Sequence, residues 1–241
     1  MASAKSAILA YHSLDYSGSA ISLRPELFAQ HMDALASSGT PVVPLSAVRS
    51  TPGSVALTFD DGYRSLLEHA IPVLAKHRFP ATVFVVSRYC GKNNDWPTQP
   101  PGIPVLPLMD WADLREIARQ GIALGAHTAT HPRLTGIEEA RAAAELRDGK
   151  REIEDRTGVA VDTFAYPYGD SNARVRELAA REFRLACGTR LDYVSPASDL
   201  FELPRIDAYY FRHAWAVAHL QAAAMALPLA ALRWIRAVRA R

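Results

Sequence analysis

The sequence predicts an α/β protein in which parallel strands and helices alternate around a single barrel. Three observations carry this expectation. Short apolar runs rich in β-branched and aromatic residues alternate with amphipathic helical stretches along the chain, and strands separated by helices of ten or more residues pair in parallel as βα units. The 241 residues suit one such barrel, and no interdomain linker, repeat, heptad or low-complexity tract divides them. Hydrophobic residues make up 49% of the chain, enough to fill a core of that size. Chemistry in such folds sits in the loops that follow the strands, at one end of the sheet or barrel.

Each element has a local reason. Ala7–Tyr11 is an apolar run too short for the core of an export signal and reads as a buried strand. Over Pro25–Ser38, Pro25 suits a first helical turn, Phe28, Met32 and Leu35 share one face, and Gly39 stops the helix. Residues 54–59 form the next strand, followed by a helical stretch to Lys76 that Pro72 should kink. Residues 81–86 read as a strand. Residues 91–107 are rich in Pro, Gly, Asn and Gln and have no period, the mark of a long loop that shapes a site or moves. Asp110 caps a helix through Arg119, with Asp113 three positions on and Gly121 as the stop. Strands are expected at 122–126, 163–166, 184–187 and 203–206, and helices at 138–157, ended by Gly158, and at 173–183.

Three segments carry candidate chemistry. Asp60 and Asp61 end an apolar strand, and Gly62 lets the chain turn sharply. Adjacent carboxylates repel unless a cation joins them, in which case one can ligate while the other serves as base. Read alone, the segment is also a common turn with a helix cap. His127 and His131, four residues apart, likewise follow a strand; imidazole is a favoured ligand of zinc-like metals, although paired surface histidines give the same pattern. An Asp and two His, each just after a strand, would leave an open coordination position, the layout of a catalytic metal site. Residues 164–169 run from an apolar strand into a Pro-bearing turn that ends in Gly169; such a turn can aim a backbone N–H at an oxyanion, or be no more than a strand end with two aromatic core residues.

These segments, in this order, resemble the motifs of the polysaccharide deacetylases, the NodB homology domains of carbohydrate esterase family 4. Residues 58–62, 127–131 and 164–169 match their first, second and third motifs, 80–85 and 111–121 look like flanking segments, and the likeness runs over roughly residues 9–210. The resemblance implies a distorted (β/α) barrel, with a catalytic domain over residues 1–212 and its core motifs within 54–210. It implies a metal-dependent hydrolase that removes N-acetyl groups from an N-acetylated sugar or glycan precursor. Asp60 would be the general base, and Asp61, His127 and His131 would hold a divalent metal, zinc by default with Co²⁺, Ni²⁺ or another transition metal as alternatives. The backbone N–H of Tyr168 would help hold the oxyanion.

Two departures from the family pattern matter. Common members carry an Arg in the third motif that orients the catalytic Asp; here Ala165 and its neighbours supply none, and Arg205 takes that role or forms an ordinary salt bridge. Common members also end in a motif whose His is the general acid. The tail offers only His213 and His219, whereas residues 9–12 resemble the N-terminal strand that carries the acid in the poly-N-acetylglucosamine deacetylase branch. His12 is therefore the expected acid, facing the metal from the side opposite Asp60; a lone His after a strand is otherwise most often only hydrogen-bonded. The same fold could instead hydrolyse another non-peptide carbon–nitrogen amide or an O-acetyl ester, or bind sugar without turnover.

A net charge of +2 excludes a whole-protein field that would draw nucleic acid. Cys90 and Cys187 match no metal spacing and read as free thiols in a reducing compartment. With no export signal visible, the expected location is cytoplasmic, at the inner membrane face where glycan precursors lie. Residues 213–241 form an expected amphipathic helical tail. From 214 to 235 it is nearly all apolar, yet His219, Gln221, Pro228 and Arg233 interrupt it too often for a membrane span. Leu227, Leu229, Leu232, Trp234 and Ile235 beside Arg233, Arg236, Arg239 and Arg241 suit either a helix closing the barrel or peripheral contact with an anionic membrane.

Overall fold

The computed structural model describes residues 5–211 and 213–220. Seven strands form one sheet in the order β8-β7-β6-β5-β4-β1-β9, every pair parallel. They are β1 (Ala7–Tyr11), β4 (Val55–Phe59), β5 (Ala81–Val85), β6 (Ala123–Ala126), β7 (Thr163–Ala165), β8 (Leu185–Cys187) and β9 (Ile206–Asp207); the short strands β2 (Ser13–Leu14) and β3 (Ser22–Leu23) pair separately. All five residues of β1, of β4 and of β5 are buried, which is why these strands read as continuous apolar runs rather than as alternating ones.

The sheet is curled, with one segment joining its two edges. Leu203 pairs with Cys187 of β8, and three residues on Ile206 pairs with Leu9 of β1. This corrects the strand expected at 203–206: its residues are divided between two neighbours, and only Ile206 and Asp207 run along β1. Alternate residues of the strands, Ile8, Ala56, Phe84, Ala165 and Cys187 among them, form an inner cluster; their neighbours Leu9, Leu57, Val83 and Val85 join a larger cluster with the helices. Phe84 takes much of the inner space, and a Cβ at Gly125 of β6 would stand 2.5 Å from its ring.

Helix ends follow the local signals. In α1 (Pro25–Ser38), Phe28, Met32 and Leu35 are buried and Gly39 adopts the left-handed conformation. In α4 (Trp111–Arg119), Asp110 Oδ1 accepts from the N–H groups of Ala112 and Asp113 at 2.7 and 2.9 Å, while Asp113 accepts from the Asp110 N–H. Both α5 (Glu139–Thr157) and α6 (Ala173–Glu182) lie where expected. The kink assigned to Pro72 is instead a break at Ala70 between α2 (Ser65–His69) and α3 (Ile71–His77); Pro72 sits in the first turn of α3, where its missing N–H is harmless.

The short helix α7 (Ala214–Ala218) packs on α1 with Ala216 and Val217 buried and Trp215 outward, and the Tyr193 hydroxyl donates to the Leu220 carbonyl. So the start of the expected tail lies against the barrel. Leu227, Leu229, Leu232, Trp234, Ile235 and the four arginines beside them lie outside the described residues. Among the described residues no helix is long and apolar enough to cross a membrane. Both cysteines are free thiols.

His31 of α1 ties three parts together. Fully buried, it stands 3.2 Å through Nδ1 from the Tyr11 hydroxyl and 3.0 Å through Nε2 from the Phe211 carbonyl. Both bonds suit one neutral tautomer, in which Nε2 donates and Nδ1 accepts. Burial pushes its pKa from 6.5 down to about 4. The unfolded chain then binds the extra proton, so stability is complete above the unfolded value and falls as pH drops from 6.5 towards 4, by up to about 3 kcal/mol. Chemical unfolding across that window is expected to show a steeper loss for the parent chain than for His31→Gln. Equal slopes would assign acid sensitivity to other groups.

Candidate active site

Strand register sets the site. Tyr11 of β1 pairs with Phe59 of β4, so the next residues, His12 and Asp60, leave neighbouring strand ends side by side. The Asp60 N–H continues the ladder to the Tyr11 carbonyl at 2.9 Å, as the His127 N–H does to the Val85 carbonyl at 2.9 Å. The first motif residues are thus held by sheet hydrogen bonds before their loops begin. Past these points Asp61, Thr128, His131 and Tyr168 all have positive φ, which among the described non-glycine residues leaves only Arg78 elsewhere. Backbone strain of this kind gathers where surrounding contacts over-determine a functional geometry.

Asp61, His127 and His131, all buried, turn one donor each towards a common point. Asp61 Oδ1 lies 3.4 Å from His127 Nε2 and 3.3 Å from His131 Nε2, and the two nitrogens are 3.3 Å apart. A tetrahedral cation with bonds of about 2.05 Å has donor–donor edges of about 3.3–3.4 Å, so the triangle matches one tetrahedral face and leaves the fourth vertex open. The outer nitrogen of His127 is 2.7 Å from the Ala165 carbonyl, a contact that directs Nε2 inward as an acceptor. Asp61 Oδ1 is buried with no hydrogen-bond partner, as expected of an atom whose partner is a cation.

Burial and charge act in opposite directions within the cluster. Burial pushes the Asp61 carboxyl upward, but the nearby imidazoles of His127 and His131 overcome it and hold Asp61 well below the usual carboxylate range. Burial lowers His131. Burial also opposes a charge on His127, yet the two carboxylates draw its pKa up.

Asp60 is held from another side. Arg205 clasps it in a fork, Nη1 to Oδ1 at 2.6 Å and Nη2 to Oδ2 at 2.7 Å, with both residues buried. The guanidinium is itself fixed by Nε donating to the Gly188 carbonyl at 2.9 Å and lies over the Phe84 ring. Burial raises the Asp60 carboxyl, but Arg205, with His127 and His12, outweighs this and keeps it below its ordinary value. His12 Nε2 is 3.7 Å from Asp60 Oδ2, with its side chain partly exposed. It therefore stands beside Asp60 rather than across the site from it, because β1 and β4 are adjacent strands in register. His213 and His219 line no part of the cleft, and His219 bonds instead to the Trp215 carbonyl.

The long loop forms one wall of the cleft. Trp96 stacks on the His131 ring at 4.1 Å and donates through Nε1 to the Tyr168 hydroxyl at 3.1 Å. Tyr168 donates to the Thr98 carbonyl at 2.8 Å, and the Thr98 hydroxyl to the His131 carbonyl at 2.7 Å. Fully buried Asn94 anchors the base of the loop, donating to the Tyr63 hydroxyl and the Pro104 carbonyl and accepting from the Leu106 N–H. The cleft, about 140 Å³, is lined by His12, Asp60, Asp61, His127, His131 and Tyr168, with Trp96 among its further wall residues. Sequence reasoning missed Trp96, Thr98 and Asn94; the one available signal was a tryptophan within a loop rich in Pro, Gly and Asn.

Fold and site define a parallel α/β barrel with a carboxylate–imidazole cluster that could hold a cation and a buried Asp–Arg pair at the carboxyl ends of its strands. The chain belongs to the polysaccharide deacetylase family, whose model matches residues 47–183, more than half of its length. A chitooligosaccharide deacetylase of Bradyrhizobium is 33% identical to it over 138 residues, covering 54% of this chain and 55% of that protein. A poly-beta-1,6-N-acetyl-D-glucosamine N-deacetylase of Staphylococcus aureus is 25% identical over 166 residues, covering 64% of this chain and 53% of the relative. The chain thus spans about half the length of these two curated relatives. The structure of IcaB from Ammonifex degensii shares the fold, with a TM-score of 0.74 and 24% identity over 89% of this chain and 97% of that one. The distorted-barrel fold implied by the motifs is borne out.

Proposed function

We propose that this chain is a cation-dependent hydrolase that removes N-acetyl groups from an N-acetylated sugar or glycan. The observation that carries the reading is the 3.3–3.4 Å triangle of Asp61, His127 and His131 in the same cleft as the Arg205-held carboxylate of Asp60. Two curated relatives, named as a chitooligosaccharide deacetylase and a poly-beta-1,6-N-acetyl-D-glucosamine N-deacetylase, support the substrate class. A divalent transition cation at the triangle supplies what amide hydrolysis at neutral pH needs: a lowered pKa for the attacking water and polarisation of the carbonyl.

The chain's own groups do the rest. Asp60, kept ionised by Arg205, accepts the proton of the attacking water. The Tyr168 backbone N–H, on a left-handed turn with φ 59°, donates to the oxygen that gains charge. His12, at the mouth of the cleft, gives a proton to the departing amine. Trp96 and Tyr168 exclude water from the inner side of the His131 ring, which strengthens the electrostatics of the site.

Acetate release from N-acetylglucosamine oligomers of both β-1,4 and β-1,6 linkage tests the reading. Activity is expected to vanish on chelation and to return with Zn²⁺, Co²⁺ or Ni²⁺. Release from O-acetylated sugars alone would move the assignment to an ester hydrolase. Cation content is the second measurement: His127→Ala and His131→Ala are each expected to purify with little bound metal, and unchanged content in both would remove the site.

A further inference from the structure

The loop that carries both histidines is strained and holds itself only in part, the Thr128 hydroxyl accepting from the His131 N–H at 2.9 Å. Thr128 and His131 are left-handed, at φ 69° and 60°, and Thr128 is β-branched. Against this loop packs α5, whose inward face carries Ala142, Leu146, Gly149 and Ile153, together with one carboxylate, Glu145, at 6% exposure. A carboxylate on an apolar helix face is costly unless its lone pairs are filled. Here Oε2 accepts from the Ala129 and Thr130 N–H groups at 3.0 and 2.8 Å, and Oε1 accepts from the Thr130 hydroxyl at 2.6 Å. The Glu145 main-chain carbonyl lies 3.1 Å from the same Ala129 N–H. One turn on, a Cβ at Gly149 would stand 2.7 Å from the Thr128 carbonyl carbon and 2.9 Å from the Ala129 nitrogen, both backbone atoms that cannot swing aside.

We infer that Glu145 is a positioning residue that fixes the backbone of residues 128–131, and through it the separation of the His127 and His131 imidazoles, with Gly149 as the contact that lets α5 approach. The inference rests on the cation reading of the triangle but concerns residues that touch neither cation nor substrate. The anionic acceptor matters because its hydrogen bonds are charge-assisted and converge on two of the four peptide groups between the histidines.

Co²⁺ titration of the parent chain and its variants, followed by visible absorption and by competition with a chelator, tests it. Glu145→Ala is expected to bind Co²⁺ about 10–100-fold more weakly, the usual cost of losing an outer-sphere partner. Glu145→Gln, which keeps an acceptor oxygen but not the charge, should fall between the two. Gly149→Ala should also bind more weakly, although alanine is the better helix former. Glu154→Ala, which removes an acceptor for the Val161 N–H at the far end of α5, should keep parental affinity. Hydrogen exchange provides a readout without cation: the Ala129 and Thr130 amides should lose protection in Glu145→Ala and keep it in Glu154→Ala. Should Glu145→Ala fail to fold, Glu145→Gln and Gly149→Ala carry the test. Parental affinity and spectrum in the folded variants overturn the inference while the cation reading stands; no Co²⁺ binding by the parent chain overturns both.

Discussion

Asp60→Asn is expected to keep its cation and lose turnover by about 10²–10⁴-fold, the usual contribution of a general base. Cation retention follows from the proposed ligand set, which draws on Asp61, His127 and His131 and not on Asp60. Loss of turnover follows because an amide cannot take up the water proton. The substitution also disturbs the Arg205 fork: one guanidinium N–H keeps an oxygen acceptor, while the other then faces an NH₂ group. Fold and metal content must therefore be measured alongside rate. Near-parental acetate release by a folded, cation-loaded variant would take Asp60 out of the reaction.

Arg205→Met is expected to cost stability as well as rate. Both members of the Arg205–Asp60 pair are buried, and removing one partner of such a pair typically destabilises by about 3–5 kcal/mol because the other charge is left unpaired. In the parent, Asp60 titrates below its unfolded value, so its ionisation stabilises the fold above the unfolded pKa, and that contribution is lost as pH falls through the folded one. Without Arg205, burial loses its strongest opponent among the side chains, and the Asp60 carboxyl rises. The acidic limb of kcat/KM against pH should therefore move to higher pH. Lysine at this position keeps a charge but not the two-pronged geometry and should restore only part of the loss. Urea unfolding at pH 7 and the pH profile are the two measurements; a variant as stable as the parent with an unmoved limb would reduce Arg205 to an ordinary ion pair.

Much of this molecule is written in short stretches of sequence. The α1 helix is specified by a proline, three apolar residues on one face and a glycine, and α4 by two aspartates three residues apart. Such signals act between residues a few positions apart, so they survive without knowledge of the fold. The same holds for Asp60, Asp61 and His127, each of which follows an apolar strand closely enough for the strand end to place it, whereas His131, five residues past its strand, was legible only by its spacing from His127.

What the sequence left open depends on which strands become neighbours. Arg205 reaches Asp60 across 145 positions because residues 203–207 join the two edges of the sheet, an arrangement no local pattern encodes. His12 stands beside Asp60, not opposite it, because β1 and β4 pair in register. Trp96 covers His131 because Asn94 and Tyr168 hold an aperiodic loop in place, and Glu145 reaches the histidine loop because Gly149 lets a helix approach its backbone. Periodicity, caps and turn residues encode conformation over a few residues and thereby settled the elements and the reactive groups at their ends. Partners, facing and support are set by long-range packing and sheet closure, and these only the tertiary structure decided.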